Sequence, residues 1–155
     1  MKLKEILVFG ATGNIGRNLI RKLTKNNYKV VAVTRNIHQK GFQLKTQANP
    51  GYLELVELES LDEEKIRDLF NSCSVCINLI GILYEKNKGQ FNKIHSVLPN
   101  ILYNIAKEKK IDQFIHVSAL GVENASNSVY AKSKLDGEIN VKKICQICAG
   151  FSISC

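Results

Sequence analysis

Proline is scarce in this 155-residue chain, which has only Pro50 and Pro99, and its ten glycines follow no repeat. That combination excludes collagen-like and linker-like chains. Long apolar runs are missing as well. None approaches the roughly 20 residues that a membrane-spanning helix needs. The N-terminus, MKLKEILVFG, passes from two lysines straight into a short apolar strand, too brief for the core of a signal peptide. These absences lead to the expectation of a cytoplasmic protein with no transmembrane segment.

Arginine is nearly absent: Arg17, Arg21, Arg35 and Arg67 stand against eighteen lysines in a chain of net charge +8. The lysines are scattered, in runs no longer than Lys109-Lys110, and no aromatic residues interleave with them as a base-stacking platform would require. The charge therefore reads as a solvated surface, and no nucleic-acid partner is expected. Zinc-ribbon spacing is lacking too. The pairs Cys73/Cys76 and Cys145/Cys148 are 68 residues apart, where a ribbon wants about 15–20. Cys76, inside Val75-Cys76-Ile77, reads as a buried strand residue acting as a small hydrophobe. With Cys155 the cysteine count is odd, which suits reduced thiols. His95 and His116 read as packed, hydrogen-bonded residues, since nothing nearby completes a metal set.

What is present is an alternation of strands and helices, the pattern of a parallel sheet covered on both faces. Strands are expected at Glu5–Phe9, Lys29–Val33, Tyr52–Leu58, Val75–Ile80 and Phe114–Val117. Helices are expected from about Asn14 to Lys25, from Asp62 to Phe70, from Phe91 to Lys109 and from Val129 to Lys143. Asn26-Asn27 suits the end of the first helix, because Asn tolerates the left-handed conformation. Pro99 must kink or divide the third helix. Residues 36–51 read as polar loop.

The strongest local signal is Gly10-Ala11-Thr12-Gly13-Asn14-Ile15-Gly16, placed between a strand and a helix. In such a turn Gly10 permits the sharp reversal, Gly13 admits a pyrophosphate close to the backbone, and Gly16 lets the helix pack on the strand. The helix N-terminus then favours a phosphate. At the end of the second strand, where NAD sites place an acid for the ribose hydroxyl, stands Thr34-Arg35-Asn36, with no acid between Glu5 and Tyr52. A guanidinium binds a 2′-phosphate that a carboxylate would repel, so NADP(H) is expected over NAD(H). The missing acid also disfavours S-adenosylmethionine, and no Gly-Lys-Ser/Thr follows the glycines to make a P-loop.

Tyr130 and Lys134 are four residues apart at the start of the last helix and share a face. An ammonium beside a phenol favours the phenolate, so such a pair can exchange a proton with a carbonyl or alcohol during hydride transfer. The glycine turn, Asn78-Leu79-Ile80-Gly81 and Tyr130/Lys134 together resemble the short-chain dehydrogenase/reductase superfamily, of its extended or atypical kind. More narrowly, VFGATGNIGRNL, VTRN, INLIGIL, FNKIHSVLPN, FIHVSALGV and YAKSKLDGE resemble the nucleotide-binding accessory subunits of respiratory complex I and their bacterial relatives, over about residues 4–143.

The resemblance implies an α/β, Rossmann-like, doubly wound parallel sheet of about five strands in the order 3-2-1-4-5. It implies that Gly10, Thr12, Gly13, Asn14, Ile15 and Gly16 line the pyrophosphate and that Arg35 meets the 2′-phosphate. Gly81 would face the cofactor and Lys134 the nicotinamide ribose. The superfamily's catalytic serine would be Ser118, or its place would be taken by Ala119 if the register is one later. Family members continue into a further strand and a substrate-binding region, so a C-terminally truncated chain is expected. Residues 1–143 would form the dinucleotide domain and 144–155 an atypical tail, with the sheet edge exposed unless the tail or a protein partner covers it. The resulting expectation is an NADP(H)-binding protein without turnover, cytoplasmic or held at the inner membrane through a respiratory-chain partner. The alternatives are an active NADP-dependent reductase or epimerase using Tyr130, Lys134 and Ser118, and a non-functional remnant.

Overall fold

The computed structural model describes residues 5–124, 127–145 and 152–154. Six parallel strands form one sheet in the order β3-β2-β1-β4-β5-β6. They are β1 (Glu5–Phe9), β2 (Lys29–Thr34), β3 (Leu53–Glu57), β4 (Cys73–Asn78), β5 (Gln113–Val117) and β6 (Ser152–Ser154). The first five follow the expected order 3-2-1-4-5. Strands β1 and β2 are nearly continuous apolar runs, as central parallel strands covered on both faces must be.

Two apolar layers enclose the sheet. On one face Ile6, Val8, Val30 and Ala32 pack with Ile20 of α1 (Asn14–Lys25) and Leu44 of α2 (Ile37–Lys45). On the other, Leu7, Phe9, Val31 and Cys76 pack with Ile66 of α3 (Glu63–Leu69), Leu102 of α5 (Leu98–Glu108) and Val141 of α6 (Val129–Cys145). Asn27 ends α1 in the left-handed region at φ 61°, as its residue type suggested. Cys73 and Cys76 are both buried free thiols, and burial pushes the Cys73 thiol up to about 12. The side chains of Cys145, Cys148 and Cys155 lie outside the described residues.

Three features differ from the sequence expectation or refine it. Residues 37–45, read as loop, form α2. Asn36 caps it by accepting from the Gln39 N–H at 3.0 Å, and Glu57 accepts the Ile37 N–H at 2.8 Å. Polar composition and a mid-helix glycine hid this helix, in which Gly41 lies against β3. A Cβ there would sit 2.9 Å from Leu55 Cδ1.

The second feature is at Pro99. The helical stretch starts as one turn, α4 (Gln90–Asn92), widens into a π-helical segment at Lys93–Val97, and resumes as α5. Pro99 has no N–H for the carbonyl four residues back, at His95, and its ring crowds that carbonyl; widening the preceding turn relieves both. The third is β6, which pairs with β5 through Ile115–Ser152, His116–Ile153 and Val117–Ser154. Residues 152–154 thus lie along the edge that a five-stranded sheet would leave open.

Helix α6 closes against the π-helical segment at Gly137, where a Cβ would fall 1.9 Å from the His95 carbonyl oxygen. That oxygen belongs to backbone and cannot swing away. Asn140 Nδ2 donates to Ser96 Oγ at 3.0 Å beside it. Gly137→Ala is expected to lower the unfolding free energy by about 2–3 kcal/mol in urea denaturation. Alanine is the better helix former by about 1 kcal/mol, so a stabilised or unchanged variant would contradict the close approach.

Candidate functional site

The chain leaves β1 through Gly10, whose φ of 79° is strained for any side chain and whose Cβ would lie 2.8 Å from the Leu79 carbonyl carbon. The Gly13 N–H donates to Gly10 O at 3.1 Å, closing the turn, and Arg17 N–H donates to Gly13 O at 3.0 Å, opening α1. At Gly16 a Cβ would come within 2.4 Å of Gly10 O and 2.6 Å of Ala11 O, so the helix rests directly on the turn. Helices α2 and α3 begin with capping side chains, Asn36 and Asp62. The N-cap of α1 is Gly13, with no capping side chain and no acid in the first turn. Its first N–H groups and dipole are thereby left to an anion from outside.

A cleft of about 290 Å³ opens above this turn, at the C-terminal edge of the sheet where strand order reverses between β1 and β4. Gly10, Thr12 and Gly13 line its floor. Thr34, Arg35 and Lys40 line the β2 side, and Leu79 to Ile82 the β4 side. Of the residues singled out in the sequence, Gly10, Thr12, Gly13, Arg35 and Gly81 are brought together here. Asn14, Ile15 and Gly16 lie on the first turn of α1, outside the residues that line the cleft, with Ile15 61% exposed. Lys40 carries no sequence signal of its own, because residues 36–51 have the polar composition of a loop; on α2 it stands one turn inside the helix, on the same wall as Arg35.

Tyr130, Lys134 and Ser118 are not among the residues that line the cleft. Lys134 is buried, and its Nζ would be 3.3 Å from a Cβ on Gly81. That ammonium reaches the Val117 carbonyl at 3.5 Å. Burial lowers its pKa, and the charge of buried Glu138, one turn further along α6, opposes the shift. The Tyr130 ring stands edge-on to both Phe91 and His95, with centroids 5.7 and 5.3 Å away. Ser118 follows β5, with its Oγ enclosed and unpartnered.

His95 is fully buried and uses both ring nitrogens. The Ile82 N–H donates to Nε2 at 3.0 Å, and Nδ1 lies 2.9 Å from Ser133 Oγ. His116 is fully buried as well. Asn78 Nδ2 donates to its Nδ1 at 3.1 Å while Asn78 Oδ1 accepts the Ile80 N–H. Among the described residues no group of three or more His, Cys, Asp or Glu is placed to hold a metal ion. Burial, reinforced by the Lys134 charge, brings both imidazoles down to about 4 from 6.5.

Both histidines therefore fold neutral, and the sign of the linkage follows. Below pH 6.5 the unfolded chain takes up protons that the folded protein refuses until about pH 4. Stability is expected to be full above that window and to fall as pH drops through it. Urea midpoints measured between pH 7.5 and 4.5 check this, and a flat profile would contradict it.

Comparison with known proteins adds the lineage. The chain is 31% identical over 137 residues to the mouse NADH dehydrogenase [ubiquinone] 1 alpha subcomplex subunit 9, mitochondrial, covering 88% of this chain and 36% of that protein. It is 32% identical over 132 residues to the Arabidopsis thaliana protein of the same name, covering 84% of this chain and 33% of that one. The chain spans about a third of the length of these curated relatives. Among solved structures, the UDP-glucuronic acid 4-epimerase from Bacillus cereus in complex with NAD superposes with a TM-score of 0.78 at 22% identity, over 96% of this chain and 54% of that one. The UDP-Glc/GlcNAc 4-epimerase from Campylobacter jejuni gives 0.82 at 15% identity, over 97% and 51%. At these identities the epimerases speak for the fold alone. A family model matches residues 2–148, nearly the whole chain: the protein belongs to the NmrA-like family.

Proposed function

We propose that the chain binds NADP(H) at the β1–β4 switch point and holds it without turnover, as a nucleotide-binding relative of the complex I accessory subunits. The observation that carries the reading is the uncapped glycine turn on the floor of the cleft. Gly10 and Gly16 have no room for a Cβ, and the first turn of α1 presents N–H groups with neither a capping side chain nor an acid. A pyrophosphate supplies the missing negative charge there. Gly10, Thr12, Gly13, Asn14, Ile15 and Gly16 would surround it. Arg35, with Lys40 beside it, would take a 2′-phosphate on the β2 side, and Gly81 and Lys134 would serve the nicotinamide ribose on the β4 side. Residues 1–143 are the dinucleotide domain in this reading and 144–155 its tail.

Absence of turnover is supported by Tyr130, which packs against Phe91 and His95 and is not among the residues that line the cleft, and by the enclosed Ser118 Oγ. The relatives suggest a respiratory-chain protein as partner. The second reading, a reductase or epimerase, is favoured by one observation: the Lys134 ammonium lies beside Gly81, at the cleft's edge. There Tyr130 would donate or accept the proton at the substrate oxygen, Lys134 would stabilise its phenolate and Ser118 would orient the carbonyl. Nicotinamide would supply the hydride when bound.

Titration of the purified protein with NADPH and NADH checks the first reading. NADPH is expected to bind more tightly, and Arg35→Asp to cost it about 1.5–3 kcal/mol, roughly 10- to 100-fold in Kd. Equal weak binding of both dinucleotides would sink the assignment of Arg35. Tyr130→Phe is expected to leave NADPH affinity within about twofold, since the phenol has no part in holding the dinucleotide in this reading. If turnover of a carbonyl or nucleotide-sugar substrate is found and Tyr130→Phe abolishes it, the second reading replaces the first.

A further inference from the structure

His95 joins two parts of the protein that nothing in the sequence connects. Its Nε2 accepts the Ile82 N–H at 3.0 Å, and Ile82 belongs to the β4 wall of the cleft. With Nε2 engaged as an acceptor, the ring proton is on Nδ1 and is donated to Ser133 Oγ at 2.9 Å. The Ser133 hydroxyl in turn donates to the Tyr130 carbonyl at 2.7 Å, within α6. Each donor finds one acceptor along a single direction, from the loop after β4 through the imidazole to the helix.

The ring itself is held from two sides. Phe91 stacks on it with centroids 5.4 Å apart, and Tyr130 meets it edge-on. The histidine sits in the π-helical segment that Pro99 imposes, and Gly137 of α6 presses on its carbonyl. Its place is thus fixed by backbone on one side and by aromatic contacts on the other. Burial requires partners for both ring nitrogens, and the partners this histidine has are the cleft wall and α6.

The end of the cleft that His95 supports follows from the topology. A dinucleotide lies across the switch point with its pyrophosphate on the glycine turn, and its adenosine ribose faces the end of β2. The other half must then lie along β4, against Leu79 to Ile82.

We propose that His95 is a positioning residue for the nicotinamide half of the site: by bridging the Ile82 backbone to Ser133 it sets the wall against which that half lies. The proposal rests on the dinucleotide reading above and deepens it. The adenosine half, held by the β2 side and the glycine turn, does not depend on this bridge.

Two probes separate the halves: NADPH, which needs both, and adenosine 2′,5′-bisphosphate, which carries only the adenosine end with its 2′-phosphate. His95→Phe keeps an aromatic ring between Phe91 and Tyr130 and removes both hydrogen bonds. Ser133→Ala deletes a single hydroxyl and decides the matter if His95→Phe fails to fold. Each variant is expected to weaken NADPH by about tenfold while binding the bisphosphate within about twofold of wild type. Equal loss of both probes by Ser133→Ala, or no loss of either, overturns the role of His95 and leaves the dinucleotide reading standing. Wild-type protein that binds neither probe overturns both.

Discussion

The structure depends on one close approach, that of α1 to the end of β1. Gly16 leaves the Gly10 and Ala11 carbonyls where any Cβ would collide with them, and Gly10 does the same for the backbone of Leu79. The first contact brings the helix down onto the sheet, and the second brings β4 alongside β1. Both are needed before the C-terminal edge can open into a cleft with the start of α1 pointing into it. An uncapped helix N-terminus is an unfavourable thing to leave beside a wall of apolar residues unless an anion meets it. The same geometry that builds the Rossmann core therefore also specifies the kind of molecule it receives.

A second close approach, at Gly137, organises the other side. Pro99 widens the helix before it, the His95 carbonyl stands against α6, and α6 can reach it only where it has no side chain. Tyr130, Ser133, Lys134 and Glu138 share the same helix, so this contact fixes how all four face the end of the sheet. Lys134 and Glu138 are both nearly inaccessible, and the buried histidines nearby stay neutral, so the lysine is the local positive charge. Burial of that charge so close to Gly81 gives the β4 wall a polar character that its lining of Leu79, Ile80 and Ile82 does not suggest.

Much of this was legible in the residues. The five strands themselves, the limits of α1, the Asn27 cap and the glycine turn all follow from period and local chemistry, because each is decided within a few residues; the order of the strands came only with the family resemblance. Arg35 could be placed on the cleft for the same reason: it follows directly on a strand whose end is a defined position. Lys40 could not, since its placement depends on α2, a helix whose capping comes partly from Glu57 on another strand and whose glycine lies against Leu55 on β3. The dual engagement of His95 was likewise hidden, because Ile82, His95 and Ser133 meet only through tertiary packing. Strand β6 was illegible in a short tail whose three residues, Ser152-Ile153-Ser154, carry little strand signal of their own.

The central claim is that a dinucleotide lies across the β1–β4 switch point with its pyrophosphate on the uncapped start of α1. Backbone amide chemical shifts of the labelled protein, followed during addition of NADPH, test it residue by residue. The account predicts the largest changes at residues 10–16, at Arg35 and along Leu79 to Ile82. Changes confined to other parts of the chain, or none at saturating dinucleotide, would contradict it.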